Sequence, residues 1–193
     1  MNRLDKGDYG YLNQYKRNKL FVSLILAAMI AFIVITTIVM FGDTSRVSII
    51  FAILLSLPFA KFIIAYFLCA RFKSIEKAVA DKISDAAGAE YVMYDVVVAQ
   101  YEGMRHYSAI AVKNGRIYAL VYEKDYTNKE NPSRREYEEW LKECANDSKY
   151  NYPVKLYEDT DDYIHKLSTI GVPNDNTRLV DKHIMQRIKD SSI

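Results

Sequence analysis

The sequence predicts an α/β protein with a membrane anchor: an N-terminal transmembrane helical hairpin followed by a cytoplasmic mixed α/β domain. The first observation is a pair of apolar segments, Leu20 to Phe41 and Val47 to Ala70, with only the pentapeptide 42–46 between them. A helix rises about 1.5 Å per residue, so each segment is long enough to cross a hydrocarbon core of about 30 Å. The second observation is that residues 71–193 alternate helix-like and strand-like patterns, in the order αβββαβαα.

Charge divides the chain into a basic and aromatic head (residues 1–19), the hairpin (20–70) and the α/β domain (71–193). Residues 1–71 carry 8 Lys/Arg and 3 Asp/Glu, whereas residues 72–193 carry 18 and 21. The loop between the spans holds only Arg46. The remaining flanking cations are Arg3, Lys6, Lys16, Arg17 and Lys19 before the first span and Arg71, Lys73 and Lys77 after the second. Because cytoplasmic flanks are enriched in Lys and Arg, we predict a two-span cell-membrane protein with both termini in the cytoplasm.

The head combines tyrosines with cations close to the first span. Amphipathic rings and cations at such positions are typical of the membrane–water interface. We therefore predict an interfacial anchor formed by Tyr9, Tyr11, Tyr15, Lys16 and Arg17.

Lys61 is the anomaly of the second span, because a lysine near the middle of a membrane helix costs about 2.5 to 3.5 kcal/mol of insertion free energy. Three residues earlier, Pro58 cannot donate to the carbonyl of Leu54 and is expected to kink the helix. Lys61 and Pro58 are the candidate intramembrane functional residues. Two interpretations stay open: Lys61 binds a lipid headgroup, a carboxylate of a partner protein or a translocated anion, or it snorkels to the inner interface without a partner.

The domain begins with an amphipathic pattern over Phe72–Ala87 that predicts a helix continuing from the second span and ending at Gly88. The segment Tyr91–Tyr101 contains three consecutive valines, which predicts a strand buried on both faces. A second strand follows the Glu102-Gly103 pair.

Asn114-Gly115 between two apolar runs predicts a two-residue type I′ hairpin. In that register Val112 opposes Ile117 and Ile110 opposes Ala119. Both faces of this hairpin are apolar, so we expect both to be covered.

Two cap patterns predict the helices that follow. Ser133 with Glu136 predicts a capping box, before a helix that buries Trp140 and ends near Asp147. A strand is predicted at Val154–Tyr157. Then Thr160 is predicted as the N-cap of the next helix. The last helix is predicted from Thr177 to Lys189.

The sequence predicts no catalytic, cofactor-binding or metal site. His106, His165 and His183 show no ligand spacing, and the seven glycines form neither a GxGxxG motif nor a P-loop. The domain has no Lys/Arg run, which argues against nucleic-acid binding. We therefore expect a non-enzymatic interaction or regulatory domain. Its partners are the lipid bilayer and either another protein or a second copy, reached through the hairpin.

The stretch Ser108 to Tyr122 (SAIAVKNGRIYALVY) resembles the hairpin of the PD-(D/E)XK nuclease-like fold, including the nuclease-related domain family. The resemblance is topological and covers residues 73–158. It implies a metal-binding Asp before the turn and a Glu-x-Lys pair after it. This chain departs from that pattern, with Tyr107 or Ser108 at the first position and Leu120 and Tyr122 at the second.

The layout of basic head, Leu57-Pro58-Phe59-Ala60-Lys61 element and α/β tail also resembles small, uncharacterised two-span membrane proteins of Firmicutes-type bacteria. That resemblance implies an architecture and no activity. Two alternative functions stay open: a divergent nuclease-like hydrolase at the membrane, and a subunit of an oligomeric transport assembly that uses Lys61. Transport requires an oligomer because two helices cannot enclose a pathway.

Overall fold

The computed structural model describes residues 4–41, 46–100, 103–121, 133–146 and 151–193, without the side chains of 41, 46–48 and 176. The chain forms two compact units. One is helical and comprises Leu12–Lys73. The other is the domain, in which the residues up to Tyr11 join Ser74–Ile193.

The helical unit contains α1 (Tyr11–Phe41) and α2 (Arg46–Ala70). By length and composition both helices can span a membrane. Their large apolar side chains are mostly uncovered, as Phe32 in α1 and Leu57 in α2 show with 69% and 68% exposure. Helix α1 begins at Tyr11, so the helix already includes the second half of the predicted head.

The predicted continuation of the second span into the domain is wrong. Helix α2 ends at Ala70, residues 72–76 are not helical, and α3 spans Lys77–Ala87. The reason is Ile75, which is 2% exposed and whose N–H donates to a side chain of the sheet. Gly88 ends α3 as predicted, with φ +87° and its N–H bonded to the carbonyl of Ser84.

The domain is built on a mixed four-stranded sheet, which confirms the predicted α/β class. The first three strands are antiparallel neighbours in the order β1, β2, β3, and β4 pairs parallel to β3. Three further α-helices and a one-turn 3-10 helix, Ala89–Tyr91, complete the described part of the chain. The strands are β1 (Val92–Gln100), β2 (Gly103–Lys113), β3 (Arg116–Leu120) and β4 (Val154–Tyr157), and the helices are α4 (Arg134–Ala145), α5 (Thr160–Ser168) and α6 (Asp175–Ser191).

The predicted hairpin is confirmed in both turn and register. Asn114 and Gly115 have φ angles of +55° and +68°, as a type I′ turn requires. Val112 pairs with Ile117, and Ile110 pairs with Ala119, as predicted.

Both faces of the sheet are covered, as the apolar runs predict. Helices α4 and α6 bury one face, where Tyr107, Ile110 and Leu141 lie in one cluster. Helices α3 and α5 bury the other, where Ile83 and Tyr163 lie in a second cluster.

Asp95 reverses the side-chain alternation of β1. Val92 and Tyr94 belong to the core under α3 and α5, whereas Val96 and Val98 belong to the core under α4 and α6. A regular strand would place all four on one face. The reversal occurs where Asp95 takes a left-handed φ of +52°.

The helix starts differ from the prediction in detail. Ser133 precedes α4, but its hydroxyl donates to Oε1 of Glu136 at 3.4 Å and caps no backbone N–H of the described residues. Asp159, not Thr160, is the N-cap of α5, because its Oδ2 accepts from the N–H of Asp162 at 3.0 Å. Helix α6 begins at Asp175, two residues earlier than predicted.

Candidate functional site

The segments that lead into α1 and out of α2 both bind strand β1. The carbonyl of Gly7 accepts from the N–H of Tyr94 at 2.8 Å. The N–H of Ile75 donates to Oδ1 of Asp95 at 3.1 Å. Two consecutive residues of β1 therefore bind the segment before α1 and the segment after α2. We call Gly7, Ile75, Tyr94, Asp95 and His106 the junction.

The head side of the junction is fixed by further contacts within the domain. Lys6 Nζ donates to the carbonyl of Ser192 at 2.6 Å, at the end of α6, where the helix dipole favours a cation. The Tyr9 ring meets the Tyr94 ring edge-on at 6.1 Å. Gly7 has φ +89°, and an added Cβ would lie 3.0 Å from Cγ of Met93. The segment thus fits β1 closely.

The five predicted anchor residues are divided between the two units. Tyr9 and Tyr11 belong to the domain unit, and Tyr15, Lys16 and Arg17 to the helical unit. Within the helical unit, Lys16 Nζ donates to the carbonyl of Phe72 at 2.9 Å, which ties the start of α1 to the residues after α2. Lys19 Nζ lies 4.8 Å from the Tyr15 ring and 5.0 Å from the Phe62 ring. The interfacial anchor itself stays a prediction.

The other side of the junction is a buried polar pair. Nε2 of His106 lies 3.8 Å from Oδ1 of Asp95, and both side chains are almost fully buried. Ser108 lies two residues after His106 in β2 and is also buried, so Asp, His and Ser side chains are all present in this part of the sheet. These are the residue types of a nucleophilic triad, yet Ser108 Oγ forms no hydrogen bond with any described residue. All three side chains are closed to solvent, and Oδ1 of Asp95 is the acceptor of the Ile75 N–H.

Lys61 lies on an exposed face of α2. No described residue forms an ion pair or hydrogen bond with it. The exposed apolar residues of the same face repeat at spacings of three and four: Leu54, Leu57, Ile64 and Leu68. Pro58 lies inside α2, so the helix continues through it without the N–H that Leu54 would have accepted.

The positions that the nuclease resemblance assigns to metal-binding residues are interior. Tyr107, Ser108 and Leu120 are each 0% exposed, and Tyr122 lies outside the described residues. Burial raises the pKa of Tyr107 well above its usual value, and its hydroxyl donates to the carbonyl of Tyr137 at 2.8 Å. Among the described residues, no group of three or more His, Cys, Asp or Glu is placed to hold a metal ion.

Asp181 is a buried polar residue that sequence reasoning missed. Its Oδ2 accepts from the N–H of Asn114 at 2.9 Å and its Oδ1 from the N–H of Gly115 at 2.7 Å, so helix α6 holds the β2–β3 turn. The available signal was its spacing, because Asp181 occupies the same helix face as the buried Ile184 and Ile188. An acidic residue within an apolar stripe indicates a buried acceptor role.

No family model, curated protein or solved structure matches the chain.

Proposed function

We propose that this is an integral protein of the cell membrane, whose two-helix hairpin holds a non-enzymatic α/β interaction or regulatory domain at the cytoplasmic face. The length and uncovered apolar surface of α1 and α2 support insertion. Uncovered apolar side chains of this kind are stable in contact with the hydrocarbon chains of lipids.

The observation that carries this proposal is the junction. A segment before α1 (residues 4–10) and a segment after α2 (residues 74–76) both bind β1. Two segments bound to one strand lie on the same side of a membrane, which requires an even number of crossings. Lys and Arg at these flanks support the cytoplasmic side.

The junction also supports a regulatory role. Because Tyr94 and Asp95 are neighbours in β1, a shift of either span pulls on the same point of the sheet. Strand β1 transmits such a shift to β2 through its ladder. The domain can therefore respond to what the hairpin binds.

The charge of Lys61 and the apolar residues around it support a protein partner within the membrane. Apolar residues at spacings of three and four around Lys61 resemble a helix-packing seam with one polar position, which sets register and partner choice. A carboxylate on the facing helix would offset the insertion cost of the ammonium. Two copies packed symmetrically on this face would bring like charges together. We therefore propose a different membrane protein, with an Asp or Glu in its span, as the partner of this face.

Photo-crosslinking in native membranes tests this proposal, with the crosslinking amino acid placed at Ile64 on the same face. We expect a discrete adduct with another membrane protein that is kept in Lys61→Arg and lost in Lys61→Leu. An adduct that persists in Lys61→Leu, or lipid adducts alone, would support the snorkelling interpretation. An adduct between two copies would favour the oligomeric transport assembly.

A further inference from the structure

A basic cavity lies in the domain where β3 and β4 begin. Its volume is about 330 Å³, and its wall includes Arg116, Tyr118, Lys155 and Lys166 together with the Pro153-Val154 segment. None of the junction residues contributes to it. The cavity is at the lower end of the size range of small-molecule sites, about 300 to 1,000 Å³.

The fold brings these cations together from three separate elements. Tyr118 pairs with Lys155 in the parallel β3–β4 ladder, and Arg116 lies two residues before Tyr118, on the same face of the strand. The hydroxyl of Tyr163 donates to the carbonyl of Tyr118 at 3.2 Å, which fixes α5 over this face. Lys166 follows Tyr163 by three residues, so it lies one turn further along α5.

The cations of the cavity have no carboxylate partner among the described residues, unlike four of the other arginines of the domain. Its wall contains no Asp or Glu. Within the described part of the chain, Arg116, Lys155 and Lys166 form no ion pair. By contrast, four arginines each lie within ion-pair distance of a glutamate: Arg105, Arg134, Arg135 and Arg178. Three unneutralised cations around one cavity create a local field that attracts an anion.

We propose that this cavity binds a small phosphate-bearing ligand. The planar guanidinium of Arg116 suits bidentate contact with two phosphate oxygens, and the two lysines add point charges. Tyr118 and Pro153 offer an apolar surface to the rest of the ligand. The source of the phosphate is a soluble molecule or a phospholipid headgroup, and the chemistry of recognition is the same. This inference goes beyond the proposed function and does not depend on it.

Calorimetric titration tests the site, with the full chain in nanodiscs of neutral phosphatidylcholine and inorganic pyrophosphate as the probe. We expect saturable binding that weakens about tenfold in each of Arg116→Gln, Lys155→Gln and Lys166→Gln, since each removes one charge-assisted contact. A matched control, Lys82→Gln, removes one charge at an exposed position elsewhere and should keep the parent affinity. A thermal melt of each variant checks that it is folded.

Nanodiscs that also contain phosphatidic acid distinguish the two sources. Weaker pyrophosphate binding to the parent in these discs indicates a headgroup ligand, and unchanged binding indicates a soluble one; both support the site. Absence of saturable binding to the parent would overturn it. So would equal affinities of the three single variants and the control.

Discussion

The N–H of Ile75 donates a 3.1 Å hydrogen bond to Oδ1 of Asp95. Ile75 is the first fully buried residue after α2, and Asp95 is the point at which β1 reverses its alternation. The segment that follows α2 is therefore hydrogen-bonded to the sheet through the Asp95 carboxylate.

Replacement of Asp95 should weaken the domain in a graded way. Asp95→Ala leaves the Ile75 N–H buried without an acceptor and places Ala at a left-handed φ, so we expect a loss of about 2 to 4 kcal/mol of unfolding free energy. Asp95→Asn keeps an acceptor oxygen and tolerates that φ, so its loss should be less than half as large. Chemical denaturation of the full chain in detergent measures both. Equal losses in the two variants would contradict the role of the hydrogen bond.

Asp181 should contribute more to stability than other acidic residues of α6. Asp181→Ala removes the acceptor of two turn N–H groups, and we expect a loss of about 3 kcal/mol. Asp190→Ala, at an exposed position of the same helix, is the control and should change the unfolding free energy by less than about 0.5 kcal/mol. The denaturant midpoints of the two variants are the measurement. Similar midpoints would contradict the contribution of the two hydrogen bonds between Asp181 and the turn.

Two glycines of the head allow a matched test of its attachment to β1. Gly7 and Gly10 both have positive φ, +89° and +83°, so an alanine is strained at either position. Only at Gly7 does the new Cβ come within 3.0 Å of the Met93 side chain. We expect Gly7→Ala to increase hydrogen exchange at the Tyr94 N–H and Gly10→Ala to leave it near the parent rate. A larger increase of exchange at the Tyr94 N–H in Gly10→Ala than in Gly7→Ala would show that the Gly7 segment is not bound to β1 as described.

Alkaline pH should destabilise the domain through its buried tyrosines. Burial raises the pKa of Tyr163 well above its usual value of 10.0. Above pH 10 the unfolded chain releases this proton while the folded chain retains it, so the folded state loses about 1.4 kcal/mol of stability per pH unit for each such group. At neutral pH Tyr163 is protonated in both the folded and the unfolded chain, so none of this stability is lost there. Denaturant midpoints between about pH 8 and pH 11 should fall less steeply in Tyr163→Phe than in the parent. Parallel slopes would contradict the assignment.

The features that were predicted from the sequence are those set by neighbouring residues. Asn114 and Gly115 alone determine the turn, and the turn then determines the register of β2 against β3. The apolar spacing around Ile75 predicted a helix, but the same spacing also fits a buried residue in an extended segment. The apolar spacing alone does not distinguish a helix from an extended segment with one buried residue.

The features that the sequence did not reveal depend on distant partners. In the sequence, Asp95 is only a polar residue within a valine-rich strand. Its role as the acceptor of the Ile75 N–H depends on a residue twenty positions away. The basic cavity arises because β4 pairs parallel to β3, which brings Lys155 next to Tyr118, and because α5 crosses the same face. None of these relationships is encoded within a short window of sequence.

Cysteine labelling in intact cells tests the central claim most directly: that a two-span hairpin joins two cytoplasmic segments to one domain. In a Cys69→Ala/Cys144→Ala background, single cysteines at Asp5, Ser45 and Lys182 are exposed to a membrane-impermeant maleimide. We predict that only Ser45→Cys reacts in intact cells, and that Asp5→Cys and Lys182→Cys react after permeabilisation. Reaction of positions 5 and 182 from opposite sides, or of both from outside, would contradict the account.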